Sequence, residues 1–165
     1  KEIIKVASLK KLSIEKFGKE AINIFNARKE AYYDQYIYSL LRNKNKKLIF
    51  ELYYQIESNE SSINQLSKKY SSGTEKSKLG IIGPVNLQEI HFEIAKILKS
   101  SNDLYINEPI EINKEWFLIK REALIPAIYN DNYKSKICME LLERELEKEY
   151  FNFINKMYNK FLNNG

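Results

Sequence analysis

Two segments with the side-chain alternation of β-strands lie far apart in the sequence, and helical spacing fills most of the interval between them. Residues 33–42, YDQYIYSLLR, carry aromatic and aliphatic side chains on both faces of a period-two pattern, with a continuing helix as the open alternative. Residues 109–122, PIEINKEWFLIKRE, indicate a hairpin with its turn at Asn113 and Lys114. Strands this far apart pair only if the intervening helices fold back onto the sheet, so we expect an α+β fold.

Apolar residues recur at helical spacing in five further segments. The predicted helices cover residues 13–32, 48–56, 62–70, 87–99 and 131–162. Ser13 is the expected N-cap of the first helix, and Ser62 with Gln65 forms an S-x-x-Q capping box at the start of the third. The last helix is long enough that we expect it to pack across the N-terminal helix or against a partner.

The charge and the scarcity of reactive side chains exclude several classes of protein. The net charge of +5 comes from 27 basic and 22 acidic residues mixed along the chain, and the densest basic cluster, RNKNKK at 42–47, is interpreted as a solvated loop. No zinc-finger or RNA-recognition motif accompanies it, so we expect no nucleic-acid partner. Cys138 is the only cysteine and His91 the only histidine, and we predict neither a bound metal nor another cofactor.

The sequence also bears on membranes and location. No apolar run approaches the roughly 20 residues that a membrane-spanning helix needs, so we expect no membrane span. The first residues, KEIIKVASLKKL, lack the apolar core of a secretion signal, and we expect a cytoplasmic location.

Glycine and proline concentrate in one short stretch, residues 78–85, KLGIIGPV. The chain has five glycines and three prolines, and Gly80, Gly83 and Pro84 fall within five positions. We predict a loop here, in which the glycines adopt positive φ or allow close backbone approach and the proline stiffens the exit.

Three of these motifs together resemble the parvulin, or PpiC-type, family of peptidyl-prolyl isomerases. They are INQLSKKYSSG at 63–73, KLG at 78–80 and the hairpin NEPIEINKEWFLIKRE at 107–122. The resemblance implies a β-α-α-α-β-β core, with an N-terminal helix and a long C-terminal helix packed beside it. The expected organisation is an N-terminal helical segment at 1–32, a parvulin-like domain at 33–125 and a C-terminal helix at 126–165, in one compact unit.

The resemblance is closer to cyanobacterial parvulin-like proteins with flanking helices, and it covers roughly residues 13–150. Their pattern is followed by YSLLR at 38–42, ELYYQI at 51–56, IGPV at 82–85 and the Pro-Ala step at 126–127.

The family's site residues transfer to six positions. Residues aligned with the substrate-binding pocket are Leu79, Leu87 and His91. Residues aligned with the polar catalytic cluster are Ser39, Gly73 and Phe117, a set that implies loss of the family's polar chemistry. Glu75 is a candidate replacement. His91 also fits a partly exposed helix residue, and Phe117 fits a core strand residue.

The resemblance therefore implies a peptidyl-prolyl cis-trans isomerase, or a protein that assists folding or export, with a degenerate active site. The alternative is a non-catalytic chaperone or interaction module on the same fold. Proline-containing or unfolded polypeptide segments are the expected partners in either case. The long terminal helices also suit a homodimer.

Overall fold

The computed structural model describes residues 2–102 and 105–163 and confirms an α+β fold. The helices are α1 (Glu2–Phe17), α2 (Ala21–Arg28), α3 (Lys46–Glu57), α4 (Ile63–Tyr70), α5 (Phe92–Ser100) and α6 (Asp131–Asn163). The strands are β1 (Gln35–Asn43), β2 (Ile81–Val85), β3 (Ile110–Ile112) and β4 (Glu115–Ile125). Across the described residues, no helix combines the length and the apolar character that crossing a bilayer requires.

The four strands form one antiparallel sheet in the order β2-β1-β4-β3. In the central pair, Leu40 lies opposite Ile119 and Leu41 lies opposite Leu118. Opposed residues share a face and successive residues alternate between faces, so the two pairs point to opposite sides of the sheet. All four side chains are buried, which explains why β1 is apolar on both of its faces.

Each face of the sheet has its own hydrophobic core. Ile94 and Leu98 of α5 pack on the side that carries Leu40, which we call the α5 face. Ile49 of α3 and Leu66 of α4 pack on the other side, which we call the α3/α4 face. The predicted return of the helices onto the sheet is therefore confirmed, and the helical alternative for residues 33–42 is wrong.

The chain divides into two compact units. One comprises residues 29–127 and holds the sheet with α3, α4 and α5. The other comprises residues 1–28 and 128–165, and in it α1 and α2 pack against α6. The domain boundaries proposed from the sequence stay a prediction.

Packing in the helical unit centres on Phe25. Its ring centroid lies 5.2 Å from that of Tyr129 and 5.1 Å from that of Tyr133. Beside it, the Arg28 guanidinium donates two hydrogen bonds, of 2.8 and 3.0 Å, to the carboxylate of Glu140. These hydrogen bonds hold the pKa of Glu140 below its ordinary value.

Two predicted helices begin elsewhere. The first starts at Glu2, so Ser13 is not an N-cap but a buried residue inside α1, where its Oγ donates to the Lys10 carbonyl at 2.8 Å. Gly18 follows the end of α1, as expected of a residue with low helix propensity. The helix predicted for residues 87–99 begins later than expected. Its first residues, Leu87–Glu89, form only a short 3₁₀ turn, and the α-helix α5 begins at Phe92.

Residues 81–85 form the strand β2 and not the predicted loop. The glycine and proline content hid this strand, because both residues are uncommon in strand interiors. Proline is tolerated at the edge of a sheet, and β2 is an edge strand whose pairing with β1 is shifted by an irregularity between Tyr36 and Tyr38. The predicted helix 131–162, the Ser62–Gln65 capping box and the hairpin turn at Asn113 and Lys114 are confirmed.

Candidate active site

A cavity of about 820 Å³ opens on the α5 face, and we call it the sheet cavity. Its apolar lining includes Leu40 of β1, Ile112 of β3 and Phe117 of β4, together with Ile94 of α5. Each of these four side chains is buried. Leu40 and Phe117 point from the central strands toward α5, and all four belong to one hydrophobic core. The size and lining suit an apolar group with the volume of a prolyl ring and its neighbours.

The strand β2 forms one wall of the sheet cavity over its whole length, Ile81–Val85. Gly80 precedes this wall with φ of 79°, and its position leaves no room for a side chain, since a Cβ there would stand 2.6 Å from the carbonyl oxygen of Leu40. Gly83 lies within the wall with φ of 116°, and a Cβ there would stand 2.4 Å from the carbonyl oxygen of Tyr36. The expectation of positive φ and close backbone approach at both glycines is confirmed.

An ion pair lies at the edge of the cavity. Nε of Arg42 is 3.2 Å from Oε1 of Glu75, and both residues line the cavity. The Glu75 side chain is 4% exposed, whereas that of Arg42 is 32% exposed. Ser71 stabilises the same carboxylate, because its Oγ donates to Oε1 of Glu75. Glu115 lies farther from the guanidinium, with Oε2 at 3.7 Å from Nη1.

Gly73 lies directly against this ion pair. A Cβ at position 73 would stand 2.1 Å from Oε2 of Glu75 and 2.2 Å from Nε of Arg42. The ion pair therefore occupies the space into which a polar side chain at this position would project. Glu75, the predicted candidate to replace the family's polar cluster, lies on the short 3₁₀ helix Thr74–Lys78 and lines the cavity.

Tyr38 is buried in the same hydrophobic core as Leu40 and Phe117. Burial, together with the smaller effect of the negative charge of Glu75, raises the pKa of Tyr38 to about 12. The phenol therefore stays neutral at physiological pH.

The six residues that the resemblance selects are not brought together at one site. Phe117 and His91 line the sheet cavity, and the His91 ring caps α5, where its Nδ1 accepts the Glu93 backbone N–H at 3.3 Å. Leu79 is 42% exposed and lies outside the cavity lining. Leu87 lines a separate, smaller apolar cavity of about 340 Å³.

Ser39 points to the α3/α4 face, opposite to Phe117. It pairs with Lys120, whereas Phe117 pairs with Arg42, and the alternation along β1 separates the two faces. The Ser39 Oγ donates to Oε1 of Glu122 at 2.6 Å and accepts a hydrogen bond from Nδ2 of Asn64 at 2.9 Å. The sheet thus lies between the hydroxyl of Ser39 and the sheet cavity.

Arg42, Glu115 and the β2 wall are the parts of the site that the sequence reasoning missed. Arg42 lies near the end of the apolar strand β1, but the RNKNKK pattern assigns it to a basic loop. Within the described ranges, no group of three or more His, Cys, Asp and Glu side chains is arranged to hold a metal ion.

Sequence comparison identifies the family. The profile described as "Rotamase: PPIC-type PPIASE domain" matches residues 38–123. The chain belongs to this family. The match confirms the resemblance to parvulins, and the rotamase domain so defined spans β2, β3, most of β1 and β4, and all of the sheet cavity's lining. Curated protein sequences give no match. The closer likeness to cyanobacterial proteins stays a prediction.

Solved structures resemble the rotamase domain together with its flanking helices. A structure of the foldase protein PrsA from Streptococcus pneumoniae has a TM-score of 0.58 at 18% identity, covering 90% of this chain and 57% of that one. The peptidylprolyl isomerase PrsA from Bacillus anthracis has a TM-score of 0.57 at 17% identity, covering 84% and 61%. A structure reported for the SurA-like chaperones PEB4 and Cj1289 of Campylobacter jejuni has a TM-score of 0.56 at 15% identity, covering 99% and 69%.

These structural likenesses concern the fold. The chain spans about three fifths of the length of the two PrsA structures, at 57% and 61%. The parvulin-like α+β fold with a long C-terminal helix is thereby established for this rotamase-family chain.

Proposed function

We propose that the protein is a parvulin-type peptidyl-prolyl cis-trans isomerase that acts on proline-containing polypeptides through the sheet cavity. The observation that carries the proposal is the combination of a buried apolar lining, formed by Leu40, Ile112 and Phe117, with the Arg42–Glu75 ion pair at its edge. Family membership supplies the reaction class.

The reaction requires little covalent chemistry from the protein. Rotation about the X-Pro bond faces a barrier of about 18–20 kcal/mol because it breaks amide resonance. A surface that binds the twisted amide better than either planar form lowers this barrier. An apolar cavity contributes in this direction, since it holds the prolyl ring and keeps water from the planar amide, which is the more polar of the two forms.

The ion pair gives the cavity a fixed hydrogen-bond donor. A guanidinium carries five N–H groups, and Glu75 and Glu115 approach two of its nitrogen atoms, Nε and Nη1 of Arg42. The remaining N–H groups of Arg42 are available to the carbonyl oxygen of the residue before proline. Because Glu75 is buried and also accepts from Ser71, the guanidinium is held in one orientation. In this proposal the ion pair replaces the family's polar cluster, which Ser39, Gly73 and Phe117 do not supply.

We expect the protein to accelerate cis-trans exchange of Leu-Pro and Ala-Pro peptides at least about tenfold over buffer, equal to about 1.4 kcal/mol of transition-state stabilisation. Val85→Asp is expected to reduce the acceleration about tenfold, because it places a charge in the apolar wall where the prolyl ring would bind. NMR exchange spectroscopy on the peptides measures both rates.

Leu87→Asp is the matched control. Leu87 and Val85 are both partly buried against the same hydrophobic core, but only Val85 lines the sheet cavity. Circular dichroism verifies that both variants are folded. If the unmodified protein gives the same exchange rate as buffer, the proposed function is overturned. If Leu87→Asp loses more of the acceleration than Val85→Asp, the prolyl ring binds at Leu87, the position that the family alignment gives.

A second candidate function, a chaperone that binds unfolded polypeptide, is favoured by a stripe of exposed apolar residues on α6. Its members are Leu146, Tyr150, Phe153, Ile154 and Met157. They recur three or four residues apart, so they follow one side of the helix, and exposed apolar surface of this extent commonly marks an interaction site. The homodimer expected from the terminal helices would use the same stripe, and it stays a proposal, as does the cytoplasmic location.

Replacing Tyr150, Phe153 and Met157 together with serine is expected to abolish suppression of aggregation of a chemically unfolded client. All three side chains are more than half exposed, so the change should leave the fold intact. Light scattering of the client measures the effect, and light scattering after size exclusion reports the oligomeric state. Val85→Asp is the control, because it should leave suppression unchanged. Equal suppression by the serine variant and the unmodified protein would rule out a chaperone function of this stripe.

A further inference from the structure

Seven lysines lie on three segments that meet where β1 ends, and we call them the lysine patch; one of them, Lys78, lines the sheet cavity. The members are Lys44, Lys46, Lys47, Lys68, Lys69, Lys76 and Lys78. All seven are exposed. They belong to the turn after β1 and the start of α3, to the last turn of α4, and to the 3₁₀ helix that precedes β2.

The fold brings these three segments together. Nδ2 of Asn43 donates to the Tyr70 carbonyl at 2.8 Å, which ties the end of β1 to the end of α4. Nζ of Lys76 donates to the Lys69 carbonyl at 3.3 Å, which ties the 3₁₀ helix to the same turn of α4. The first segment is separated from the other two by the rest of α3 and α4, so the full patch exists only in the folded chain.

None of the seven ammonium groups has a carboxylate within ion-pair distance among the residues that the structure describes. Lys46 lies over the ring of Trp116 at 4.5 Å and Lys69 over the ring of Tyr70 at 5.0 Å, contacts that leave both charges uncompensated. The nearby carboxylates of Glu75 and Glu115 are both directed at Arg42. The patch is therefore a surface that carries only positive charge.

The patch accounts for the whole charge imbalance of the protein. The seven lysines and Arg42 are eight of the 27 basic residues, and Glu75 and Glu115 are two of the 22 acidic residues. The remaining 19 basic and 20 acidic residues nearly cancel. A local excess of this kind raises the affinity and the association rate for an anionic partner.

We propose that the lysine patch binds acidic segments of the polypeptides whose X-Pro bonds enter the sheet cavity. Lys78 and Arg42 both line the cavity, so a chain that leaves it on this side passes directly onto the patch. The identity of the partner as a polypeptide rests on the proposed function. Lysine is a flexible point charge that suits carboxylates on an extended chain, whereas nucleic-acid surfaces rely more on arginine and on aromatic platforms.

Three peptides of equal length separate the patch from the cavity. The first has a Leu-Pro centre flanked by four glutamates, the second has the same centre flanked by four glutamines, and the third has four glutamates but no proline. Fluorescence anisotropy at about 0.05 M and about 1 M salt measures binding, because the Debye length is about 3 Å at the higher concentration. We expect the first peptide to bind about tenfold more tightly than the second at low salt, since four exposed ion pairs each contribute little.

Charge-neutralising variants locate the effect. Replacing Lys44, Lys47, Lys68 and Lys69 with glutamine is expected to remove the tenfold preference while leaving the glutamine peptide's affinity unchanged. The matched control replaces Lys11, Lys19, Lys136 and Lys148 with glutamine. These four lysines are also exposed and lie outside the patch, so the control makes the same change in net charge and should keep the preference.

Each result of the binding measurements either supports or overturns the proposal. A preference for glutamate that disappears at high salt and in the patch variant supports the proposal, including when the proline-free peptide binds. Equal affinity for the glutamate and glutamine peptides overturns it, as does a preference that the control variant loses equally. Tighter binding of a single-stranded oligonucleotide than of the acidic peptide also overturns it and identifies nucleic acid as the partner. Failure of the isomerase proposal is distinguishable, because it shows as unaccelerated exchange in the glutamine peptide.

Discussion

Gly80→Ala is expected to lower the free energy of unfolding by about 3 kcal/mol. A non-glycine residue at positive φ costs about 1–2 kcal/mol, and the new Cβ would stand 2.6 Å from both the Leu40 carbonyl oxygen and Oγ of Ser67. Neither neighbour can withdraw easily, because the Leu40 carbonyl belongs to the central strand and the Ser67 hydroxyl donates to it at 3.0 Å. Urea unfolding followed by circular dichroism measures the change.

Leu79→Gly is the matched control for this substitution. Leu79 precedes Gly80 and also adopts positive φ, at 57°, but its side chain is 42% exposed. Glycine relieves the backbone strain there while adding entropy to the unfolded chain, so the two effects should cancel to within about 0.5 kcal/mol. If Gly80→Ala costs no more than Leu79→Gly, the close approach of this turn to β1 and α4 does not contribute to stability.

Glu75→Gln is expected to lower the free energy of unfolding by about 2 kcal/mol and to reduce isomerisation. Removing one partner of a fully buried ion pair costs about 3–5 kcal/mol, and the smaller value follows because the Arg42 side chain is 32% exposed and keeps Glu115 nearby. The guanidinium loses its fixed orientation at the edge of the sheet cavity. Urea unfolding and NMR exchange on the same sample separate the two effects.

Glu115→Gln supplies the comparison, because it also removes one negative charge beside Arg42. Its carboxylate is 3.7 Å from the guanidinium and 24% exposed, so we expect a loss of less than about 0.5 kcal/mol. Replacing Arg42 and Glu75 together with leucine should recover at least half of the stability that Glu75→Gln loses, while isomerisation stays low. If the two glutamate variants lower the free energy of unfolding equally, the burial of Glu75 does not make its ion pair with Arg42 more stabilising than the more exposed contact with Glu115.

Features that depend on neighbours in sequence were predictable. The capping box at Ser62 and Gln65, the hairpin turn at Asn113 and the amphipathic pattern of α6 each follow from a few consecutive residues, and each is present. The predicted start of the N-terminal helix is wrong, although Ser13 has the right residue type for a cap. The helix continues on both sides of it, and the hydroxyl instead bonds to the carbonyl of Lys10.

Features that depend on distant pairing were not predictable. The Arg42–Glu75 ion pair joins residues 33 positions apart, and no local pattern reports it. The placement of Ser39 and Phe117 on opposite faces follows from the register of β1 against β4, which a family alignment does not carry. Strand β2 was hidden because its glycine and proline resemble those of a turn, and only its pairing with β1 reveals it.

The position of Pro84 in β2 has a consequence for how this protein meets other chains. An unpaired strand edge is a template onto which unfolded polypeptides can add as a further strand, and proteins commonly block such edges with proline or an irregular register. Pro84 has no backbone N–H to offer, and the opposite edge of the sheet, β3, is only three residues long. A protein proposed to receive unfolded clients thus carries a proline in the edge strand that forms the wall of its sheet cavity, which disfavours the addition of a client strand along β2.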